Sequence, residues 1–168
     1  MIKAVIIINS MGKIRLINFY EKQIGFVQQQ ALVRSIYRIV ANRSDELCSF
    51  IDSFTEWPTP DTQIIYRRYA TLVFVFVSDS SESQLAILDL IQVFVEVLDR
   101  TFENVCELDF IFHSEKVQHA LMEIIMGGMV LETYREEIIR GLSDMANLSA
   151  ANAATLGKVS RRLISGYK

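Results

Sequence analysis

The sequence predicts an α+β fold, in which one antiparallel β-sheet is covered by α-helices. Three observations support this class: five short segments have strand composition, a helical pattern separates the second segment from the third, and only helical patterns follow residue 80. The chain has 168 residues, of which 51% are hydrophobic and 22% charged. Such a chain can build one domain with its own core.

The first two predicted strands form a hairpin. Ala4–Ile8 is β-branched, and Asn9–Gly12 after it is a turn signal. Residues 13–19 then alternate with a period of two, as in a strand with two different faces. This alternation places Ile14, Leu16 and Asn18 on one face and Arg15, Ile17 and Phe19 on the other.

A helix over 22–42 and three more strands complete the predicted sheet. The helix has apolar residues at helical spacing, namely Leu32, Ile36, Ile39 and Val40. The strand patterns cover Cys48–Phe54, Gln63–Tyr69 and Thr71–Val77. The last of these is apolar on both faces, so we expect it at the centre of the sheet.

A long helix is predicted to begin after the cap Ser80–Ser83 and to end near Phe102. Its apolar residues, at about 100° each, cover an arc of roughly 220°. A surface helix needs an arc of little more than about 100°. Either the domain itself buries this helix, or one flank meets the sheet and the other meets a partner chain.

Two further helices are predicted towards the end of the chain. One ends with Leu121–Met126 and is stopped by Gly127 and Gly128, and a short amphipathic one covers Glu136–Met145. Residues 148–168 are small and polar, with four basic residues. We therefore expect one domain over 1–147 and a flexible tail over 148–168.

The segment Asn104–His113 alternates apolar and acidic residues. If it is extended, Leu108 and Phe110 share one face, and Glu107 and Asp109 share the other. The apolar face could line a groove or belong to the core, while the carboxylates face solvent or basic neighbours.

Composition and motifs argue against several functions. The net charge of −3 provides no basic field for nucleic acid, and the adjacent Arg67 and Arg68 point to opposite faces of their strand. The two cysteines and two histidines have no metal-ligand spacing, and no nucleotide-binding or catalytic motif occurs. Apolar runs such as Leu72–Val77 are too short to span a membrane. We expect no catalytic residue, no cofactor and no metal site.

Several segments resemble the small (sigma) subunits of clathrin-type adaptor protein complexes. They are Met1–Lys3, Gly12–Leu16, Ile64–Ala70, Phe94–Asp99 and Asn104–Asp109, and the resemblance covers roughly residues 1–145. Three further blocks are most like the sigma chain of adaptor protein complex 3, namely Asp79–Ser83, Ile87–Glu96 and Met126–Thr133.

The resemblance implies a longin-like (profilin-like) fold, with a five-stranded antiparallel sheet flanked by α-helices, and a non-catalytic role. It implies packing against a delta-like large subunit, in a heterotetramer with a beta-like large and a mu-like medium subunit. The family works in the cytoplasm, peripherally attached to Golgi and endosomal membranes and transport vesicles. It sorts membrane cargo towards the lysosome or vacuole.

The resemblance also implies a site for acidic dileucine signals, which lie in the cytosolic tails of membrane cargo. Such a signal has an acidic residue, three variable residues, a leucine, and then leucine or isoleucine. The implied leucine pockets are lined by Ala70, Leu72, Val95, Val105, Leu108 and Phe110, with Asn104 near the peptide backbone. Arg15 would help to hold the acidic residue. The other function that stays open is a purely structural longin-type coat or fusion-regulator subunit without a cargo pocket.

Overall fold

Five strands form one antiparallel sheet within the part of the chain that the structure describes, which is 1–21, 23–44, 48–52 and 54–149 of a computed structural model. The strands are β1 (Ile2–Asn9), β2 (Ile14–Phe19), β3 (Phe50–Ile51), β4 (Thr62–Tyr69) and β5 (Leu72–Asp79). Their order is β2-β1-β5-β4-β3. The predicted fold class is confirmed, and so is the central position of β5, which pairs with β1 on one side and β4 on the other.

Helices cover both faces of the sheet. One face, called the α1 face here, packs against α1 (Phe26–Ala41) through residues such as Ile6 and Val75. The opposite α2 face carries Ile7 and Phe74 and packs against α2 (Gln84–Phe102) and α4 (Ser114–Ile124). The short α3 (Glu107–Phe112) and a fifth helix, α5, over 135–149 add Phe110 and Ile138 to the same core.

The domain itself buries most of the wide apolar arc of α2. Seven of its residues are buried, namely Ile87, Leu90, Ile91, Phe94, Val95, Val97 and Leu98. Leu88 and Val93, on the flanks, are partly buried against the same core, whereas Leu85 near the start of the helix is 66% exposed. The width of the arc therefore follows from burial within this chain and does not require a partner.

Three predicted elements have different bounds. β3 is Phe50–Ile51 and not Cys48–Phe54: among the described residues of this segment, these two are in ladder register with β4, and Ser49 and Phe54 each add one backbone hydrogen bond to it. α1 begins at Phe26 rather than residue 22. α5 covers 135–149 and is longer than the predicted Glu136–Met145. The flexible tail expected over 148–168 lies, from position 150 onwards, outside the residues that the structure describes.

α4 ends at Ile124, two residues earlier than predicted, because a small hairpin follows it. Ile125–Met126 (β6) pairs with Met129–Val130 (β7). The loop residues Gly127 and Gly128 have φ of 59° and 82°, a conformation that suits glycine in two-residue hairpins. A Cβ on Gly128 would also lie 2.4 Å from the carbonyl oxygen of Ile2. The glycines thus end the helix by forming a turn.

A β-bulge interrupts β2. Ile7 pairs with Leu16 and Ile8 pairs with Ile14, so Arg15 is the extra residue in the ladder. A bulge of this kind shifts the alternation of side chains by one position.

The bulge corrects the predicted faces of β2. Ile14 and Ile17 both pack on the α1 face, whereas Leu16 belongs to the core of the α2 face. The side chain of Arg15 reaches Glu107 of α3, on the α2 face. The prediction that Arg15 shares a face with Ile17 is wrong because a strict period of two assumes an unbroken ladder.

Candidate functional site

A groove of about 340 Å³ lies on the α2 face, between the β4–β5 turn, the second half of α2 and the start of α3. It is lined by Tyr69, Ala70, Thr71, Leu72, Phe74, Val95, Asp99, Val105, Cys106 and Glu107. Four of the residues that the resemblance implied are among them, namely Ala70, Leu72, Val95 and Val105.

The sheet forms the first wall of the groove. Tyr69 pairs with Leu72, which leaves Ala70 and Thr71 as a two-residue hairpin loop. Ala70 has φ of 50°, so the chain reverses tightly and keeps this small side chain at the rim. Leu72 and Phe74 alternate onto the same face, and Tyr69 packs edge-on against Phe74 at 5.5 Å between ring centroids. This wall is apolar at its base.

The end of α2 closes one side of the groove. Val95 is 7% exposed and faces the core beneath the groove. α2 ends at Phe102. The next residue, Glu103, has a left-handed backbone conformation, and Asn104 also has positive φ. The carboxylate of Asp99 then accepts a hydrogen bond from the Val105 N–H at 3.0 Å. Asn104 is exposed beside Val105, and its own side chain does not line the groove.

α3 forms the second wall, and its helical conformation overturns the prediction of an extended segment. Cys106 caps the helix, and the Asp109 carboxylate accepts a hydrogen bond from the Cys106 N–H at 2.8 Å. That hydrogen bond holds the pKa of the Asp109 carboxyl below its ordinary value. The helix forms because this local contact and burial of Phe110 replace the pairing that a strand would need.

Leu108 and Phe110 therefore point in different directions. Residues two apart on a helix are separated by about 200°. Leu108 is 58% exposed, whereas Phe110 is 2% exposed and lies edge-on to Phe74 with 6.1 Å between ring centroids. Neither lines the groove. Phe110 supports the groove from beneath through Phe74, and the predicted shared faces of Leu108 with Phe110 and of Glu107 with Asp109 are wrong.

A charged cluster lies at one end of the groove. Oε1 of Glu107 accepts hydrogen bonds from Nε and Nη2 of Arg15, at 2.8 and 2.6 Å, and from Nδ2 of Asn9 at 2.9 Å. Thr71 donates from its hydroxyl to Oε2 at 3.3 Å. The Arg15 guanidinium first, and then Asn9, hold the pKa of the Glu107 carboxyl below its ordinary value. Arg15 thus meets the groove through Glu107 and is not itself a lining residue.

Glu107, Thr71 and the aromatic pair of Tyr69 and Phe74 line the groove but are not among the predicted site residues. A usable signal existed for the aromatic pair, since Phe74 follows Leu72 by two in the same strand, and Tyr69 stands opposite Leu72. Glu107 gave no such signal, because its position depends on the unpredicted α3.

A larger cavity of about 590 Å³ lies on the α1 face, behind the same β4–β5 turn. Polar groups at its walls are bonded within the chain: the Tyr37 hydroxyl donates to the Ser10 carbonyl, and Arg68 donates to the Val40 carbonyl. It shares Ala70 and Thr71 with the groove. Apart from Ala70, none of the site residues that the resemblance implied lines this cavity.

Among the described residues, no set of three or more histidine, cysteine or acidic side chains is placed to hold a metal ion. In those same parts of the chain, no helix combines the length and apolar character needed to cross a membrane.

Comparison with known proteins identifies the family. Residues 1–149 match the model of the clathrin adaptor complex small chain. Human AP-3 complex subunit sigma-2 is 47% identical over 168 residues, which is 100% of this chain and 86% of the human protein. AP-3 complex subunit sigma of Dictyostelium discoideum is 53% identical over 135 residues, covering 79% of this chain and 78% of its own, and that of Arabidopsis thaliana is 43% identical over 152 residues, covering 90% of each.

A structural comparison agrees. A chain from a homology model of the full-length AP-3 complex in a stretched open conformation matches with a TM-score of 0.69 at 37% identity. The match covers 92% of this chain and 99% of that one, and it confirms the longin-like architecture. The chain therefore belongs to the clathrin adaptor complex small chain family, in which it is most like the sigma subunits of AP-3 complexes.

Proposed function

We propose that this chain is a non-catalytic small subunit of an AP-3-like vesicle coat adaptor and that its groove binds acidic dileucine signals of membrane cargo. The observation that carries the proposal is the groove itself, with apolar Leu72, Phe74, Val95 and Val105 in its lining and Arg15 at one end. Leucine side chains suit the apolar part, and Arg15, behind Glu107, is the cation that the upstream acidic residue would approach.

The magnitudes favour weak binding. Burial of two leucine side chains supplies about 3–6 kcal/mol of gross transfer free energy. A flexible tail loses conformational entropy when it becomes ordered, so we expect a Kd of about 1–10 µM, near −7 to −8 kcal/mol. Such affinity suffices when adaptor and cargo share one membrane and several contacts act together.

The proposed partner subunits and cellular location are those expected from similarity to AP-3 sigma chains. The chain would pack against a delta-like large subunit, with beta-like and mu-like chains completing a heterotetramer. The complex would act in the cytoplasm, peripherally on Golgi and endosomal membranes and on vesicles bound for the lysosome or vacuole. The finding that AP-3 sigma chains are the relatives at 43–53% identity supports this setting.

A purely structural role is the second candidate, as a longin-type coat or fusion-regulator subunit without a cargo pocket. It is favoured by two observations: Leu108 and Phe110 do not line the groove, and Arg15 is already paired with Glu107 inside the chain.

The test is binding of a labelled acidic dileucine peptide to this chain coexpressed with its large partner, with Val95→Asp as the variant. We expect saturable binding with a Kd of about 1–10 µM and a loss of at least about tenfold in the variant, because a carboxylate in the apolar groove cannot be paired there. Leu85→Asp is the control: it also replaces an aliphatic side chain of α2 by aspartate, but at an exposed position outside the groove.

Two outcomes would contradict the proposal. Absence of peptide binding by the intact wild-type heterodimer would favour the structural role. Binding that Val95→Asp leaves unchanged would place the peptide elsewhere on the complex. Copurification of both variants with the large subunit checks that assembly is intact.

A further inference from the structure

Four donors from three elements converge on the carboxylate of Glu107. Two come from Arg15 at the bulge of β2, one from Asn9 at the end of β1, and one from Thr71 in the β4–β5 turn. The side chains of Arg15 and Glu107 are 16% and 25% exposed, so solvent reaches both only in part. The first residue of α3 is thereby held against the edge of the sheet.

Glu107 also lines the groove, whereas Arg15 does not. A ligand that lies in the groove and extends an acidic side chain towards Arg15 therefore meets the negative charge of Glu107 on the way. Arg15 and Glu107 together carry no net charge. A second carboxylate near this pair is attracted by one member and repelled by the other, so the net attraction is much smaller than Arg15 alone would give.

One edge of the Arg15 guanidinium is not engaged by Glu107. Both Nε and Nη2 are directed to a single oxygen of Glu107, and Nη1 contacts the Ile14 carbonyl at 3.5 Å, the outer limit for a hydrogen bond. The guanidinium is thus held in one orientation with its Nη1 edge weakly engaged. Glu107 fixes the orientation of Arg15 and at the same time reduces its effective charge.

We propose that Glu107 is the specificity-determining residue that limits how strongly the groove favours signals with an upstream acidic residue. This inference rests on the proposed function of the groove. It makes recognition in the wild type mainly apolar, with the leucine side chains supplying most of the affinity. The acidic residue of the signal adds a modest preference, and Glu107 sets the size of that preference.

The experiment measures the affinity of two peptides for this chain coexpressed with its large partner. They are an acidic dileucine peptide and the same peptide with glutamine at the acidic position. The variant is Glu107→Gln, which removes the charge but keeps an oxygen that accepts from Arg15 and Asn9. We expect it to bind the acidic peptide about three- to tenfold more tightly than the wild type, and the neutral peptide within about twofold. The gain should shrink as ionic strength rises.

Asp89→Asn is the matched control. Asp89 is exposed on α2, outside the groove lining, and the substitution changes the net charge of the chain by the same amount. We expect it to leave the ratio of the two affinities unchanged, which separates a local effect of Glu107 from a general effect of net charge.

A second set of variants tests the same idea if Glu107→Gln fails to assemble. With Arg15→Gln, Glu107 keeps its charge without its cationic partner. The acidic peptide should then bind at least about threefold more weakly to Arg15→Gln than to the double variant Arg15→Gln, Glu107→Gln. Equal binding to the two would overturn the proposal.

The remaining outcomes separate the two proposals. If the wild type binds both peptides and Glu107→Gln leaves their affinity ratio unchanged, Glu107 has a structural role only and this inference is wrong, while the dileucine groove stands. If the wild-type heterodimer binds neither peptide, the proposed function fails and this inference fails with it.

Discussion

The two walls of the groove are built differently. The first wall consists of β5 and the adjoining turn, in a strand that is hydrogen-bonded on both sides along its length. The second wall is α3, six residues long, held by the Asp109 cap, the burial of Phe110 and the contact of Glu107 with Arg15. The backbone hydrogen bonds of the sheet hold the first wall in place, whereas the α3 wall depends on contacts of a few individual side chains.

The largest expected effect tests the support beneath α3. Phe110→Ala should destabilise the chain by about 3–5 kcal/mol, because it leaves a cavity against Phe74. Leu108→Ala, two residues away and exposed, should change stability by less than about 0.5 kcal/mol. Urea unfolding followed by fluorescence of the single, buried tryptophan, Trp57, measures both. A similar loss of unfolding free energy in the two variants would mean that α3 does not bury Phe110 and expose Leu108.

The next effect tests the start of the same wall. Asp109→Ala removes the acceptor for the Cys106 N–H, and we expect a loss of about 0.5–1 kcal/mol in the free energy of unfolding. Amide hydrogen exchange should also become faster in α3 while that of β5 stays unchanged. Equal acceleration in both walls would show that α3 is not the more independent of the two.

A smaller effect of opposite sign is expected where α2 turns into the second wall. Glu103 has φ of 53°, a backbone conformation that is strained for any residue other than glycine. Glu103→Gly should therefore stabilise the chain by about 0.5 kcal/mol, whereas Ala86→Gly inside α2 should destabilise it. Thermal denaturation of both variants decides the sign, and destabilisation by Glu103→Gly would contradict the assignment of a strained cap.

The smallest effect concerns pH. Because Arg15 and Asn9 hold the pKa of Glu107 below its ordinary 4.5, the contact adds stability above that value and loses it as the pH falls through the lowered pKa. The wild type should have a slightly higher Tm than Glu107→Gln at pH 6–8, and the two should converge as the pH falls below about 4.5. A difference that persists or grows in acid would mean that the Glu107 charge does not stabilise the native contact.

The same contrast explains which parts of the fold were predictable. β1, β5 and α2 each extend over many residues, so their apolar patterns repeat enough to be recognised, and all three were predicted close to their observed bounds. α3 contains only six residues, and its alternating letters fit a strand equally well. Its contacts to Phe74 and Arg15 support the helix, and no local pattern reports contacts so distant in the chain.

The candidate site divides in the same way. Ala70, Leu72, Val95 and Val105 lie on or beside long regular elements, and the structure brings them to one groove. Leu108 and Phe110, which the resemblance implied for the leucine pockets and which an extended segment would put on one face, lie on α3 and do not line the groove. The cargo role of the groove stays a prediction until peptide binding is measured.

The bulge at Arg15 has a consequence for how the chain tolerates change. Replacing the side chain at this position alters chemistry alone, but deleting the residue would restore an unbroken ladder between Ile7 and Ile8 and their partners. Ile14 and Leu16 would keep their partners Ile8 and Ile7 and therefore their present faces of the sheet, because these two pairs lie on either side of the bulge. The extra residue therefore serves the side chain that reaches Glu107 and not the register of the hairpin, and we expect a one-residue gap here to cost about as much as loss of that side chain.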